Sequence, residues 1–170
     1  MPAPRWRRKA DVMSERLEPL SHDAYGWHHA TAPQWADSDV YGHVNNVVYL
    51  GYFDTAMNVA LLEHGALELS ATAEGPIGLV VRNGAQFFRE ITFPAELSVG
   101  VRIEAIGRTS LTWGFGLFDL ADGACAARGQ FVHVYVDRDS RRPAPLTPAL
   151  RACADALFCN PATDKEETPK

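Results

Sequence analysis

Beginning at Asn46, the residues Leu50, Phe53, Met57, Ala60, Leu61 and His64 recur at spacings of three and four, the mark of one helical face. Val47, Val48, Tyr49, Tyr52, Ala56 and Val59 widen that face until the helix is apolar over much of its circumference, and Gly65 supplies a stop. A helix of this kind is surrounded by protein rather than laid on a surface. The rest of the chain must therefore wrap it.

The wrapping material reads as strands. Turn signals separate candidate strands at 77–88, 97–106, 111–120 and 124–136. In the second of these, Val99, Val101, Ile103 and Ala105 alternate with Ser98, Arg102, Glu104 and Ile106, which predicts one buried and one mixed face. In the last, Phe131, His133 and Tyr135 alternate with Val132, Val134 and Val136, and two apolar faces suit the middle of a sheet. Residues 107–109 and 121–123 are short enough for hairpin turns. Ahead of the helix, 28–36 reads as an edge strand that tolerates Pro33. A strand, a long helix and then a run of strands with short turns predicts an α+β antiparallel sheet curled round one helix. Thr147 can cap a short structural helix with Pro148 in its first turn and Leu150, Ala154 and Leu157 on one side.

With 170 residues, 46% of them hydrophobic, the chain can bury a core without help from a metal or a disulfide. The expected division is an N-terminal tail (1–22), one folded domain (23–146), the short helix (147–159) and a C-terminal tail (160–170). Cys125, Cys153 and Cys159 lack metal-type spacing and read as reduced thiols. No run approaches the length of a membrane span, and the N-terminus lacks the apolar stretch of a secretory signal, so a cytoplasmic protein is expected. A formal net charge of -5 argues against nucleic acid as a partner. The basic run Arg5, Arg7, Arg8 and Lys9 reads as a solvated terminus.

Chemistry concentrates between the first strand and the helix, in the segment from Gln34 to Tyr49. Asp37 and Asp39 precede a helix start that Asn45 or Asn46 can cap, and the N–H groups of a first helical turn favour developing negative charge. A thioester carbonyl under attack becomes an oxyanion, and its thiol leaving group has a pKa of roughly 8.5. One carboxylate and a donor pocket can therefore hydrolyse it without a Ser/His/Asp relay. Taken alone, Asp39 also fits a turn residue before Gly42, and His43 fits either a general base, a substrate-orienting group or a partner for the preceding loop. A calcium loop is excluded, because Tyr41 stands where its third oxygen ligand belongs and Val48 where its closing glutamate belongs. His28 and His29 are adjacent and point to opposite sides of an extended segment, which denies them a shared metal face with His43. Gly114 and Gly116 lack the third glycine and following helix of a nucleotide fingerprint.

Trp35, Asp37, Asp39, Gly42, His43, Val44, Asn45, Asn46 and Tyr49, followed by Phe53 and Asp54, stand in the order and spacing of a known group. The segment resembles the hotdog-fold acyl-CoA thioesterases of the 4-hydroxybenzoyl-CoA thioesterase type. The likeness continues more thinly through Phe87, Arg89, Pro94, Gly107 and Gly129, covering residues 30–148. It implies a five-stranded antiparallel sheet around the helix, association into homodimers or homotetramers, and acyl-CoA hydrolysis with no metal or other cofactor. It further implies that Asp39 acts as nucleophile or general base and that the Asn46 N–H polarises the carbonyl. His43 completes the catalytic candidates; Gly42, Asn45, Tyr49 and Arg89 are substrate-binding candidates, and Asp37 is a supporting acid. Arg89, Arg141 and Arg142 suit the phosphates of coenzyme A, Arg89 above the others for its place after a family-like strand. His43, Asn45 and Asn46 follow Gly42 as in broader-specificity relatives, so an aromatic acyl group is not implied. Two rivals share the fold: a silent acyl-CoA-binding protein and an enoyl hydratase or dehydratase.

Overall fold

The computed structural model describes residues 17–70 and 74–159. The elements run β1 (Trp27–Thr31), α1 (Asn46–Glu63), β2 (Ile77–Phe87), β3 (Leu97–Ile106), β4 (Ser110–Asp119), β5 (Cys125–Val136) and α2 (Pro148–Ala156). The strands form one sheet in the order β1-β3-β4-β5-β2, every neighbour antiparallel. This is the α+β hotdog arrangement, a five-stranded sheet around one long helix.

Local signals set the ends of the helices. The Asn45 side chain accepts the Val47 N–H at 3.2 Å, and Gly65 takes a left-handed φ of +65° just past the end of α1. Thr147 Oγ1 accepts the Leu150 N–H at 3.1 Å to cap α2. The first strand departs from expectation by ending at Thr31. Pro33 offers no N–H to a ladder, and the Asp37 carboxylate accepts the Gln34 N–H at 2.7 Å, folding Trp35–Asp37 into a tight turn instead.

Tyr49, Phe53, Ala56, Met57, Ala60 and Leu61 of α1 are buried against the inner face of the sheet. Phe53 stacks on Phe115 of β4 with ring centroids 5.2 Å apart, and Gly129 of β5 leaves room for its ring. The alternation of β3 holds as far as Ile103. There the register skips Glu104, pairing Ile103 with Trp113 and Ala105 with Thr112. This bulge turns Ala105 outward and packs Ile106 against the core, the reverse of their expected sides.

The outer face of β3 is also covered. Tyr25 lies across Gly100 and Gly116, which pair directly in the ladder, and a Cβ at Gly100 would stand 2.6 Å from the Tyr25 ring. Ser98, beside His22 and His28, and Arg102, beside Tyr25, were expected on a mixed face and are buried. Arg102 donates to Glu104 at 3.0 Å and sits 5.4 Å over the Tyr25 ring. Residues 17–22, expected as part of a tail, lie here too: Leu17 donates its N–H to Gln86 at 2.9 Å, and Arg128 donates to the Glu18 carbonyl at 2.9 Å. The basic run from Arg5 to Lys9 and the expected C-terminal tail lie outside the described residues.

Where β1 stops, residues after α2 continue along the edge of β3. Ile103 donates to the Leu157 carbonyl at 2.8 Å and accepts from Cys159 at 3.1 Å, so this edge is closed to other chains. The opposite edge, β2, has no such cover among the described residues. No described helix is long and apolar enough to cross a membrane.

Candidate active site

The loop between β1 and α1 is anchored at both ends. The Asp37 carboxylate accepts the Tyr52 O–H at 3.0 Å as well as the Gln34 N–H, and the Asp37 carbonyl accepts the Asn45 N–H at 2.8 Å. Asp37 thus ties the loop to the second turn of α1. Burial, reinforced by the bond to Asp37, pushes the Tyr52 phenol above its ordinary pKa range. At the far end, the Val44 N–H bonds the Ile91 carbonyl at 2.8 Å, and an antiparallel bridge joins His43 to Thr92. These contacts seat the loop on the segment that follows β2.

Asp39 occupies the turn between those anchors. Its Oδ1 accepts the Tyr41 N–H at 2.8 Å and the His43 N–H at 3.2 Å, and its carbonyl accepts the Gly42 N–H at 3.1 Å. Gly42 has φ +82°, a conformation L side chains rarely adopt, although nothing crowds a Cβ there. The turn role of Asp39 and its availability for chemistry coexist in one side chain: Oδ1 builds the turn, and Oδ2 has no hydrogen bond among the described residues.

Asn46 opens α1. The Asn45 side chain takes the Val47 N–H and its carbonyl takes the Val48 N–H at 2.9 Å, whereas the Asn46 N–H has no partner among the described residues. Asp39, His43, Asn46, Tyr49 and Arg89 line a single open cleft of about 540 Å³, walled further by Val44, Phe87, Phe88 and Glu90. Tyr49 meets Phe87 edge-on at 5.0 Å, and burial raises its phenol pKa. Gly42 and Asn45 do not line the cleft. They shape the loop and cap the helix.

Two features were not expected. His43 Nε2 lies 3.4 Å from Glu90 Oε2. Nothing in the spacing of the sequence joins those residues; the bridge from His43 to Thr92 brings them together. Arg89, expected to be open to phosphate, donates to Asp122 at 2.6 Å and stands 3.7 Å from Asp119, both at the β4–β5 turn. The bond from Arg89 lowers the Asp122 pKa. Arg141 and Arg142 lie in the turn after β5 and do not line the cleft. His28 stacks on His22 at 3.6 Å and His29 on Trp27 at 6.1 Å, away from His43. Among the described residues, no three His, Cys, Asp or Glu side chains are grouped to hold a metal ion.

A carboxylate oxygen, an unpaired helix-start N–H and a histidine around one cleft are groups that activate a nucleophile and stabilise an oxyanion. A model of the thioesterase-like superfamily matches residues 33–153. No curated protein sequence matches the chain. Among solved structures, the PA5185 protein of Pseudomonas aeruginosa is 35% identical, with 84% of this chain and 98% of that one covered at a TM-score of 0.78. A thioesterase from Thermus thermophilus, solved with coenzyme A and Zn, is 30% identical, with 82% and 99% covered at a TM-score of 0.66. A 1,4-dihydroxy-2-naphthoyl-CoA thioesterase from Synechocystis, 20% identical with 76% and 96% covered, shares the fold at a TM-score of 0.70. These matches reach the broad family and do not single out its 4-hydroxybenzoyl-CoA branch. On its fold, its loop and the match across 33–153, the chain belongs to the thioesterase-like superfamily.

Proposed function

We propose that this chain hydrolyses an acyl-CoA thioester to the free acid and coenzyme A. The observation that carries the reading is the presence in one cleft of an Asp39 carboxylate oxygen and an Asn46 N–H, neither with a hydrogen-bond partner among the described residues. Asp39 acts either on water as general base or on the carbonyl as nucleophile. In both cases a C–O bond forms, the carbonyl oxygen becomes an oxyanion held by the Asn46 N–H, and the C–S bond breaks to release the thiol; where Asp39 is the nucleophile, water then cleaves the acyl-Asp39 anhydride to free the acid. Tyr49 and Phe87 give the acyl group an apolar wall, and Arg89 offers the phosphates a guanidinium if they displace Asp122. The Thermus thermophilus structure, solved with coenzyme A, supports that carrier.

A thiol-trapping assay over short, medium and aromatic acyl-CoAs and acyl-carrier thioesters tests the reading. Release from at least one class is expected. Binding with no release at substantial enzyme concentration would instead indicate a silent acyl-CoA-binding protein, and turnover of an enoyl-CoA with no release would indicate a hydratase.

The same proposal includes a homodimer or homotetramer built through β2. This edge strand of 11 residues exposes Leu79, Val80 and Val81, and an unpaired apolar edge is a template for a second chain. Sedimentation should show an assembly larger than a monomer, and Val81→Lys should shift it toward the monomer. A wild-type chain that sediments as a monomer at micromolar concentration would overturn this part.

A further inference from the structure

We infer that Glu90 is a positioning residue that holds the imidazole of His43 in place to protonate the departing thiolate, an inference that rests on the thioesterase reading above. Glu90 stands in the connection from β2 to β3, where the Val44 N–H to Ile91 bond and the His43–Thr92 bridge fasten that connection to the site loop. Both side chains line the cleft, with His43 Nε2 3.4 Å from Glu90 Oε2. That separation is longer than the roughly 2.7–2.9 Å of a charge-assisted hydrogen bond, and contacts of this kind tighten when a substrate fills the site.

Two carboxylates therefore hold His43 from two directions. Asp39 Oδ1 accepts its backbone N–H, and Glu90 approaches its ring. Because the side chains of the pair are 38% and 68% exposed, the contact adds little to stability. Its value lies in what the ring does.

As the C–S bond breaks, its electron pair moves onto sulfur, and a proton delivered there completes the free thiol. The Asn46 N–H serves the carbonyl oxygen, and Arg89 is engaged by Asp122 and Asp119. His43 lines the same cleft with its ring beside Glu90, which places it to be the proton donor. A carboxylate at Nε2 keeps a proton on that nitrogen and balances the charge when Nδ1 is protonated too. Nδ1 then gives its proton to sulfur, leaving a neutral imidazole and a free thiol, and the proton that water loses, at attack on the thioester or on hydrolysis of an acyl-Asp39, returns to the ring through solvent. Atoms and charge balance without another reactant.

Glu90→Ala is expected to lower kcat about 10- to 100-fold, the range spanned by losing a hydrogen bond to a charged group, with KM changed far less. Glu90→Gln should fall nearly as far, because the amide keeps the shape and lacks the charge, and Glu90→Asp should recover part of the rate. In a His43→Ala background, Glu90→Ala should have almost no further effect. The melting temperature should hold in every Glu90 variant. Additive losses in the double variant, or a rate that tracks stability, would overturn the inference. Nitrogen-15 spectra of the His43 ring in wild type and Glu90→Gln need no substrate, and an unchanged ring would also overturn it. Failure of the wild-type chain to release thiol, with the ring changed by Glu90→Gln, would instead locate the error in the parent reading and its thiolate step.

Discussion

Asp39→Asn is expected to lower kcat for thiol release by about 10²- to 10⁴-fold, the usual worth of a positioned acid or base, while the fold survives. The asparagine retains an Oδ1 acceptor for the Tyr41 and His43 N–H groups, so the turn leading to Gly42 persists. The second oxygen becomes an NH₂ that neither accepts a proton from water nor attacks a carbonyl. Asp39→Ala removes both functions and should add a loosening of the loop to the same kinetic loss. Steady-state thiol release measures the first effect, and thermal melting of the two variants measures the second. Wild-type rates in both variants would reduce Asp39 to a turn residue. Rapid quench followed by intact-mass analysis separates the two chemical roles, because an acyl-enzyme accumulates only where Asp39 is the nucleophile.

The parts of this molecule that were legible in the sequence are those whose cause is local. Asn45, Gly65 and Thr147 mark the helix ends because capping and left-handed backbone act within one turn of the residue concerned. Asp37, Asp39, His43 and Asn46 could be placed together because a short loop joins a strand to a helix start. The bulge at Glu104 was not legible, since it depends on the register of β3 against β4. Nor was the burial of Ser98 beneath His22 and His28, or of Arg102 beside Tyr25, which crosses two glycines 16 residues apart in the chain. Glu90 and Asp122 were missed for the same reason. Each reaches a cleft residue through tertiary contact, and their spacing along the chain carries no trace of it.

Gly129→Ala is expected to destabilise the fold by about 1–3 kcal/mol, the ordinary penalty of overpacking a tight core, and to lower Tm by about 2–4 °C for each kcal/mol at this size. A Cβ at Gly129 would land on the Phe53 ring, which is fully buried and stacked on Phe115 with no room to retreat. Gly26→Ala is the control: nothing lies within 4 Å of a Cβ there and its backbone is not left-handed, so its Tm should hold. Phe53→Leu alone leaves a cavity and destabilises, yet in the Gly129→Ala background the smaller side chain relieves the clash. The double variant should therefore be more stable than the sum of the single losses. Catalysis should follow the same pattern, because Phe53 lies about two turns after Asn46 on the helix it anchors. A helix pushed off the sheet carries the Asn46 N–H away from Asp39 and weakens oxyanion stabilisation. A rate that recovers together with Tm in the double variant would tie the packing of Phe53 on Gly129 to the geometry of the cleft. Recovery of Tm alone would show that the start of α1 is held by Asp37 and Asn45, independently of the core beneath it.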